Sequence, residues 1–208
     1  MKLVLVRHGE TCWNQERRIQ GGDSDIELNN TGLEQARRLA TFLKNDNIIS
    51  ILSSPLRRAA ATAEAIASRH QLSVEIDQGL RELRVGDLEG MSVSNLNTTF
   101  NQFLVQWWQN SWTMKLPNGE SFFELQQRAW RVIERLLGKH KAGSEHNEGS
   151  TTVIVSHYFV TLAIILKALN LSPEYLTKFR VDLGGVSRLE IHAYEARLVT
   201  FNNTSYQC

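Results

Sequence analysis

Cysteine is nearly absent: Cys12 and Cys208 are the only two. They stand near opposite ends and form no CxxC pair, so neither a disulfide framework nor a cysteine metal site is expected. Proline is equally scarce, at 3 residues, and no segment is low-complexity, which excludes a disordered or collagen-like chain. Long apolar runs are missing too. Leu3–Val6 stops at Arg7, far short of the roughly 7–15 residues of a secretory core. Phe159–Leu166 stops at Lys167, below the roughly 20 residues of a membrane span. Nor does either charge dominate. Lys and Arg total 23 against 22 Asp and Glu, a net +1, which offers no nucleic-acid footprint and no polybasic membrane patch. The sequons at Asn29, Asn97, Asn202 and Asn203 then read as chance matches. The expected setting is a reducing cytoplasm.

What is present suits one globular domain. The chain has 208 residues, 42% of them apolar and 22% charged. A chain of that length hides roughly 70% of its unfolded surface. Leu3–Val6 reads as a buried strand. Thr31-Gly32-Leu33-Glu34 reads as a capping box opening a helix whose apolar face is Leu33, Ala36, Leu39, Ala40 and Leu43. Ile48–Leu52 is a second strand. Ser54-Pro55 is then read as N-cap and first residue of an Ala-rich helix to about Arg69. Val74–Ile76 is a short third strand. Residues 77–118 lack a regular pattern and read as a cap or insert within the domain. Ser121-Phe122-Phe123-Glu124 is a second capping box, opening a helix to about Leu137, and Gly138–Ser150 reads as a surface loop. Thr152–Ser156 is the strongest strand, followed by a helix from about Val160 to Leu169 and a short one at Ser172-Pro173. Val186–Ala193 and Leu198–Phe201 suggest a hairpin. The alternation predicts an α/β fold: a three-layer α/β/α sandwich with a mostly parallel central sheet and a small cap over its carboxyl edge.

Polar residues gather just past the strand ends. Arg7-His8-Gly9-Glu10-Thr11 follows the first, Ser53-Ser54-Pro55-Leu56-Arg57-Arg58 the second, and Arg81-Glu82-Leu83-Arg84 lies shortly after the third. Ser156-His157 closes the fourth. Ligands of open parallel sheets bind outside the carboxyl ends of the strands, so four distant segments converge on one edge. One histidine at a strand end is ordinary; two with several arginines and a glutamate form a set. Metal ligation is open to His8 and His157. Arg7 beside His8 repels a cation, however, and no HExxH or Cys cluster accompanies them. Arginine forks match phosphate oxygens, two bonds at a time. A cationic pocket holding an imidazole suits phosphoryl transfer.

These residues resemble the histidine phosphatase superfamily, in its phosphoglycerate mutase-like branch. Leu5-Val6-Arg7-His8-Gly9-Glu10-Thr11 with Trp13-Asn14 is similar to the family's first signature. Arg18-Ile19-Gln20-Gly21 with Asp25, Leu28, Thr31-Gly32 and Gln35-Ala36 resembles the loop and helix that follow it. Ser53–Ala59 with Thr62-Ala63, Leu80-Arg81-Glu82-Leu83 with Gly86 and Glu89-Gly90, Asn118–Ser121, and Val155-Ser156-His157 continue the likeness in the family's order. The resemblance implies that His8 is the nucleophile and becomes phosphohistidine. Arg7, Arg58 and His157 would hold the phosphoryl oxygens, with Asn14, Gln20 and Gly21 lining the same pocket. Glu82 would protonate the leaving alcohol and then activate water. No metal and no cofactor are implied. The expected partner is a small phosphorylated metabolite, and a homodimer stays open.

One departure from the pattern is Tyr158-Phe159, where the family often has Gly after the second His; packing into the following helix is the favoured role. Trp107, Trp108 and Trp112 read as partly buried core, with a substrate cap as the alternative. Cys12 reads as an inert small residue. The Arg pairs at 17–18 and 37–38 read as solvated surface, while Arg84 and Lys115 are candidates for an anionic substrate tail. Three activities fit the residues: hydrolysis of a small phosphate monoester, a cofactor-dependent phosphoglycerate mutase, and a phospho-ligand binder without catalysis. Hydrolysis is preferred. Only about 30 residues separate Gly90 from Ser121, less than the insert implied for mutases, and both His8 and Glu82 are in place.

Overall fold

Leu3, Val4, Leu5 and Val6 form an unbroken apolar run, and a strand of that kind has to be covered on both faces. The computed structural model, which describes residues 1–110, 112–142, 149–192 and 195–207, shows that arrangement. The elements in chain order are β1 (Lys2–Arg7), α1 (Cys12–Gln15), α2 (Asn30–Phe42), β2 (Ile48–Ser53), α3 (Arg57–His70) and β3 (Val74–Ile76). There follow α4 (Val93–Thr99), α5 (Asn101–Asn110), α6 (Phe122–Ala142), β4 (Thr151–Ser156), α7 (Tyr158–Ala168), β5 (Val186–Ile191) and β6 (Ala196–Asn203).

The sheet order is β3-β2-β4-β1-β5-β6. The first four strands run parallel; β5 is antiparallel to β1, and β6 to β5. Alternation along β1 sends Leu3 and Leu5, with Leu52 and Ile154, into a core shared with α6 and α7. Val4 and Val6, with Ile51, Val153 and Val155, enter a second core against α2 and α3. Residues Val160–Leu166 of α7 are buried on every side, as an all-apolar helix must be. In register, Arg7 lies opposite Ser156 and Ser53 opposite Val155. The parallel strands therefore end at one common edge.

Several elements differ from expectation. The N-cap of α2 is Asn29, whose side chain accepts from Gly32 N–H at 2.8 Å. Thr31 falls inside the first turn, Glu34 pairs with Arg37 and Arg38 on the surface, and Leu33 is exposed. The α2 start is pinned by contact: a Cβ on Gly32 would stand 2.1 Å from the Glu10 carbonyl, and one on Gly9 2.6 Å from the Gly32 carbonyl. Only two glycines let this helix close onto the loop after β1. α3 starts at Arg57 rather than at Ser54-Pro55, because Ser54 is engaged elsewhere. α6 passes through Gly138 to Ala142. The Gly138–Ser150 loop therefore begins later, and 143–148 lie outside the described residues, as does Ala193. Within 77–118 the chain forms 3₁₀ turns at Gln78–Leu80 and Gly86–Leu88, then α4 and α5. Leu96 and Trp107 from these helices join the α6–α7 core. The capping box at Ser121–Glu124 is present, with Ser121 N–H donating to Glu124 at 3.0 Å. Among the described residues no helix is long and apolar enough to cross a membrane.

Candidate active site

His8 follows β1 directly, and its backbone N–H continues the ladder to the Ser156 carbonyl at 3.0 Å. The side chain is 3% exposed. Its Nδ1 lies 2.7 Å from the Gly9 carbonyl. A carbonyl can only accept, so Nδ1 carries the proton. Burial, then Arg58 and Arg7, hold the imidazole pKa well below its ordinary value. The ring is neutral, and the Nε2 lone pair is left for reaction.

The His157 ring, at the end of β4, stands 5.1 Å from the His8 ring. It is fully buried, and burial likewise holds it neutral. Ser54 orients it. The Ser54 hydroxyl accepts from Leu56 N–H at 3.3 Å and is hydrogen-bonded to His157 Nε2 at 2.7 Å. His157 Nδ1 is a buried atom with no partner. This duty is why Ser54 caps no helix.

The two arginines are held by carbonyls. Arg7 Nη1 donates to Val181 O at 2.6 Å, and its guanidinium lies 5.5 Å from the centre of the Tyr158 ring. Arg58 donates to Ser24 O at 2.8 Å and to Gly21 O at 2.9 Å. Burial lowers Arg58 to about 10, which still leaves it charged at neutral pH. Each arginine keeps a buried Nε without acceptor, and so does Gln20 Nε2. With His157 Nδ1, four buried nitrogens from four separate segments lack partners. Buried N–H groups are almost always paired, so such a group of four calls for an anion.

Glu82 is 5% exposed. Its carboxylate oxygens accept from Leu83 N–H at 2.8 Å and Phe159 N–H at 3.3 Å. Burial outweighs these bonds and the charges of Arg58 and Arg7, and its pKa is raised. A carboxyl whose pKa is raised beside an anion site is suited to donating a proton.

The remaining candidates fall into two groups. Asn14 caps α1 in a reciprocal box: its Oδ1 accepts from Thr11 N–H at 3.0 Å, and Gln20 Oε1 accepts from Thr11 Oγ at 3.1 Å. Gly21 is a strut, its N–H donating to Glu89 at 2.8 Å while its carbonyl holds Arg58. Arg84 pairs with Asp23 and Lys115 with Glu124 on the surface. Arg18 lies over the Trp13 ring and donates to Gly90 O. Trp107 is core at 2% exposure, whereas Trp108 is 41% exposed. Cys12 is exposed on α1. Among the described residues, no group of three or more His, Cys, Asp or Glu is placed to hold a metal ion.

Three residues escaped the sequence reasoning. Ser54 orients His157. Glu89 accepts from Gly21 N–H and from the Ser24 hydroxyl, so it fastens the loop that holds Arg58. Arg128 of α6 donates to the carbonyls of Gly79, Arg81 and Glu82, the last at 2.9 Å, and pairs with Glu120. It thereby pins the backbone that carries Glu82. The available signal for Arg128 was a cation next to the Leu125-Ala129-Val132 stripe.

Comparison with known proteins bears on the family and the fold. A family model, histidine phosphatase superfamily (branch 1), matches residues 3–204. A probable phosphoglycerate mutase of Yersinia pestis is 33% identical over 190 residues, 91% of this chain and 85% of that protein. The α-ribazole phosphatase of Shigella flexneri superposes with a TM-score of 0.81 at 34% identity, over 98% of this chain and 96% of that one. A mycobacterial glucosyl-3-phosphoglycerate phosphatase with bound VO3 superposes with a TM-score of 0.88 at 28% identity, over 98% and 99%. The fold and the span of the match agree, and the protein is an enzyme of the phosphatase kind. This chain belongs to the histidine phosphatase superfamily.

Proposed function

We propose that the enzyme hydrolyses a small phosphate monoester through phosphohistidine on His8. The observation that carries this reading is the neutral His8, its Nε2 free, among four buried nitrogens that lack partners. The phosphate sits with its oxygens on Arg7, Arg58, Gln20 and His157. His8 Nε2 attacks phosphorus, the ester P–O bond breaks, and the departing oxygen takes the Glu82 proton. Glu82, now a carboxylate, removes a proton from water; the water oxygen attacks phosphorus and the P–N bond breaks. Inorganic phosphate leaves, Glu82 is protonated again, and His8 is restored neutral. Two guanidinium charges offset the charge that develops on the equatorial oxygens.

The alternative is a mutase, which returns the phosphoryl group to a second substrate oxygen. It is favoured by the name of the Yersinia relative. Hydrolysis is supported by the short segment between Gly90 and Ser121, only about 30 residues. The test is a quenched reaction with labelled ester, run beside His8→Ala. Acid-labile label on His8, its loss in the variant, and free phosphate as the main product are expected. With 3-phosphoglycerate and catalytic 2,3-bisphosphoglycerate, isomer formation far above phosphate release would reverse the choice. Label on another residue would overturn the mechanism.

A further inference from the structure

The two arginines at the anion site are held unequally. Arg58 is fixed at two corners, Nη1 donating to Ser24 O and Nη2 to Gly21 O. Arg7 is fixed at one, Nη1 donating to Val181 O. A single bond pins one corner of a planar fork and lets the rest swing about it. Yet Arg7 Nε is buried and without an acceptor, so that edge is aimed by something else. Asp182 nearby is occupied with Arg180 and Asn202.

Tyr158 supplies the second restraint. The Arg7 guanidinium lies over its ring, 5.5 Å from the centre, inside the roughly 6 Å reach of a cation–π contact. Burial lowers the Arg7 pKa; a guanidinium short of water gains more from a π face. The ring is itself held. It opens α7 directly after His157, and meets the Phe159 ring edge-on at 5.1 Å. Its hydroxyl donates to the Phe179 carbonyl at 3.1 Å, two residues before the carbonyl that takes Arg7 Nη1. One short segment thus receives both the tyrosine hydroxyl and the arginine corner. That segment has other anchors, because Phe179 packs on Phe201 at 5.3 Å and Val181 is buried. The hydroxyl is therefore replaceable, and the ring is not.

We propose that Tyr158 is a positioning residue whose ring holds the Arg7 guanidinium in the orientation that meets a phosphoryl oxygen. The proposal rests on the reading of Arg7 as a phosphate ligand. A glycine at this position, which the family often has, would leave that face of Arg7 bare. With the ring in place the fork is ordered before the anion arrives, and binding does not have to freeze it.

The experiment measures the dissociation constant of orthovanadate by calorimetry for the wild type, Tyr158→Leu, Tyr158→Phe, Arg7→Gln and the protein carrying both Tyr158→Leu and Arg7→Gln. Leucine keeps apolar bulk without a π face, so Tyr158→Leu should bind about three- to tenfold more weakly. Tyr158→Phe should stay within about twofold of the wild type. Added to Arg7→Gln, Tyr158→Leu should change the affinity by less than about twofold, since the ring then has no cation to hold. A side chain that merely shapes the pocket would cost the same factor in both backgrounds, and that result refutes the positioning role. Unchanged affinity in Tyr158→Leu refutes it as well, and so does a Tyr158→Phe protein as weak as Tyr158→Leu, which would assign the effect to the hydroxyl. The Arg7→Gln protein separates the two readings. If it binds orthovanadate as tightly as the wild type, the phosphate role of Arg7 falls and the proposal with it; if it binds weakly and the two effects add, the proposal alone falls.

Discussion

Replacing Glu82 by Gln changes one proton and almost no volume. The carboxyl accepts two backbone N–H bonds, from Leu83 and Phe159. An amide keeps one acceptor oxygen and turns an NH2 toward the other N–H. One buried donor is left unpaired, a cost of about 1–3 kcal/mol, so the variant should melt lower but fold. Its chemistry should change more. General-acid help is worth about 10²–10⁴ in rate, and alkyl esters, with poor leaving groups, need all of it. A p-nitrophenyl ester leaves with little protonation and should lose less than about tenfold in its phosphorylation step. The assay is the single-turnover rate of His8 phosphorylation by rapid quench for both ester types. Steady state cannot separate the steps, since Glu82 also activates water. For the p-nitrophenyl ester, phosphoenzyme should accumulate behind a slow second step. The pH dependence adds a check. Burial raises the Glu82 pKa, so alkyl-ester phosphorylation should fall as pH rises through that raised value, and the limb should vanish in the variant. Equal slowing of both phosphorylation rates would refute the proton-donor role and leave Glu82 as a positioning residue.

Two further outcomes are expected. His8 and His157 are held neutral in the fold, so the unfolded chain binds more protons below its histidine pKa and stability falls on acidification; from one pH unit above 6.5 to one below, each should cost about 1.4 kcal/mol. Denaturant titrations at the two pH values should show a smaller loss in His8→Ala than in the wild type, and an identical loss would contradict the assignment. Ser54→Ala removes the hydroxyl that orders His157; vanadate or phosphate inhibition should weaken about tenfold, the loss of roughly one hydrogen bond to a charged group, while the midpoint of thermal unfolding falls by a few degrees as the buried Leu56 N–H loses its partner. An unchanged inhibition constant would show that His157 is ordered without Ser54.

Much of the molecule was legible in residue order because its causes are local. An apolar run bounded by Lys2 and Arg7 makes a buried strand wherever it sits, and Ser121 with Glu124 closes a capping box inside one turn of helix. The strand ends at Arg7, Ser53 and Ser156 placed His8, Arg58 and His157 at one edge, since parallel strands share their carboxyl side. Glu82, shortly past the third strand, belonged to the same set, and the family blocks gave it a role. What the order of residues could not show were choices between competing partners. Ser54 and Thr31 both look like caps, and Ser54-Pro55 has the pattern of a helix start. Ser54 turns instead to His157, 103 residues away in sequence, while Asn29 takes the α2 cap that Thr31 resembled. Arg84 and Arg128 look alike as charged side chains. One pairs at the surface, and the other reaches three carbonyls around Glu82 from α6. The protonation states belong to the tertiary structure as well. An imidazole and a carboxyl titrate normally in the unfolded chain. Removal from water, which only packing of α7 and the loops against the sheet edge achieves, lowers the His8 pKa and raises that of Glu82.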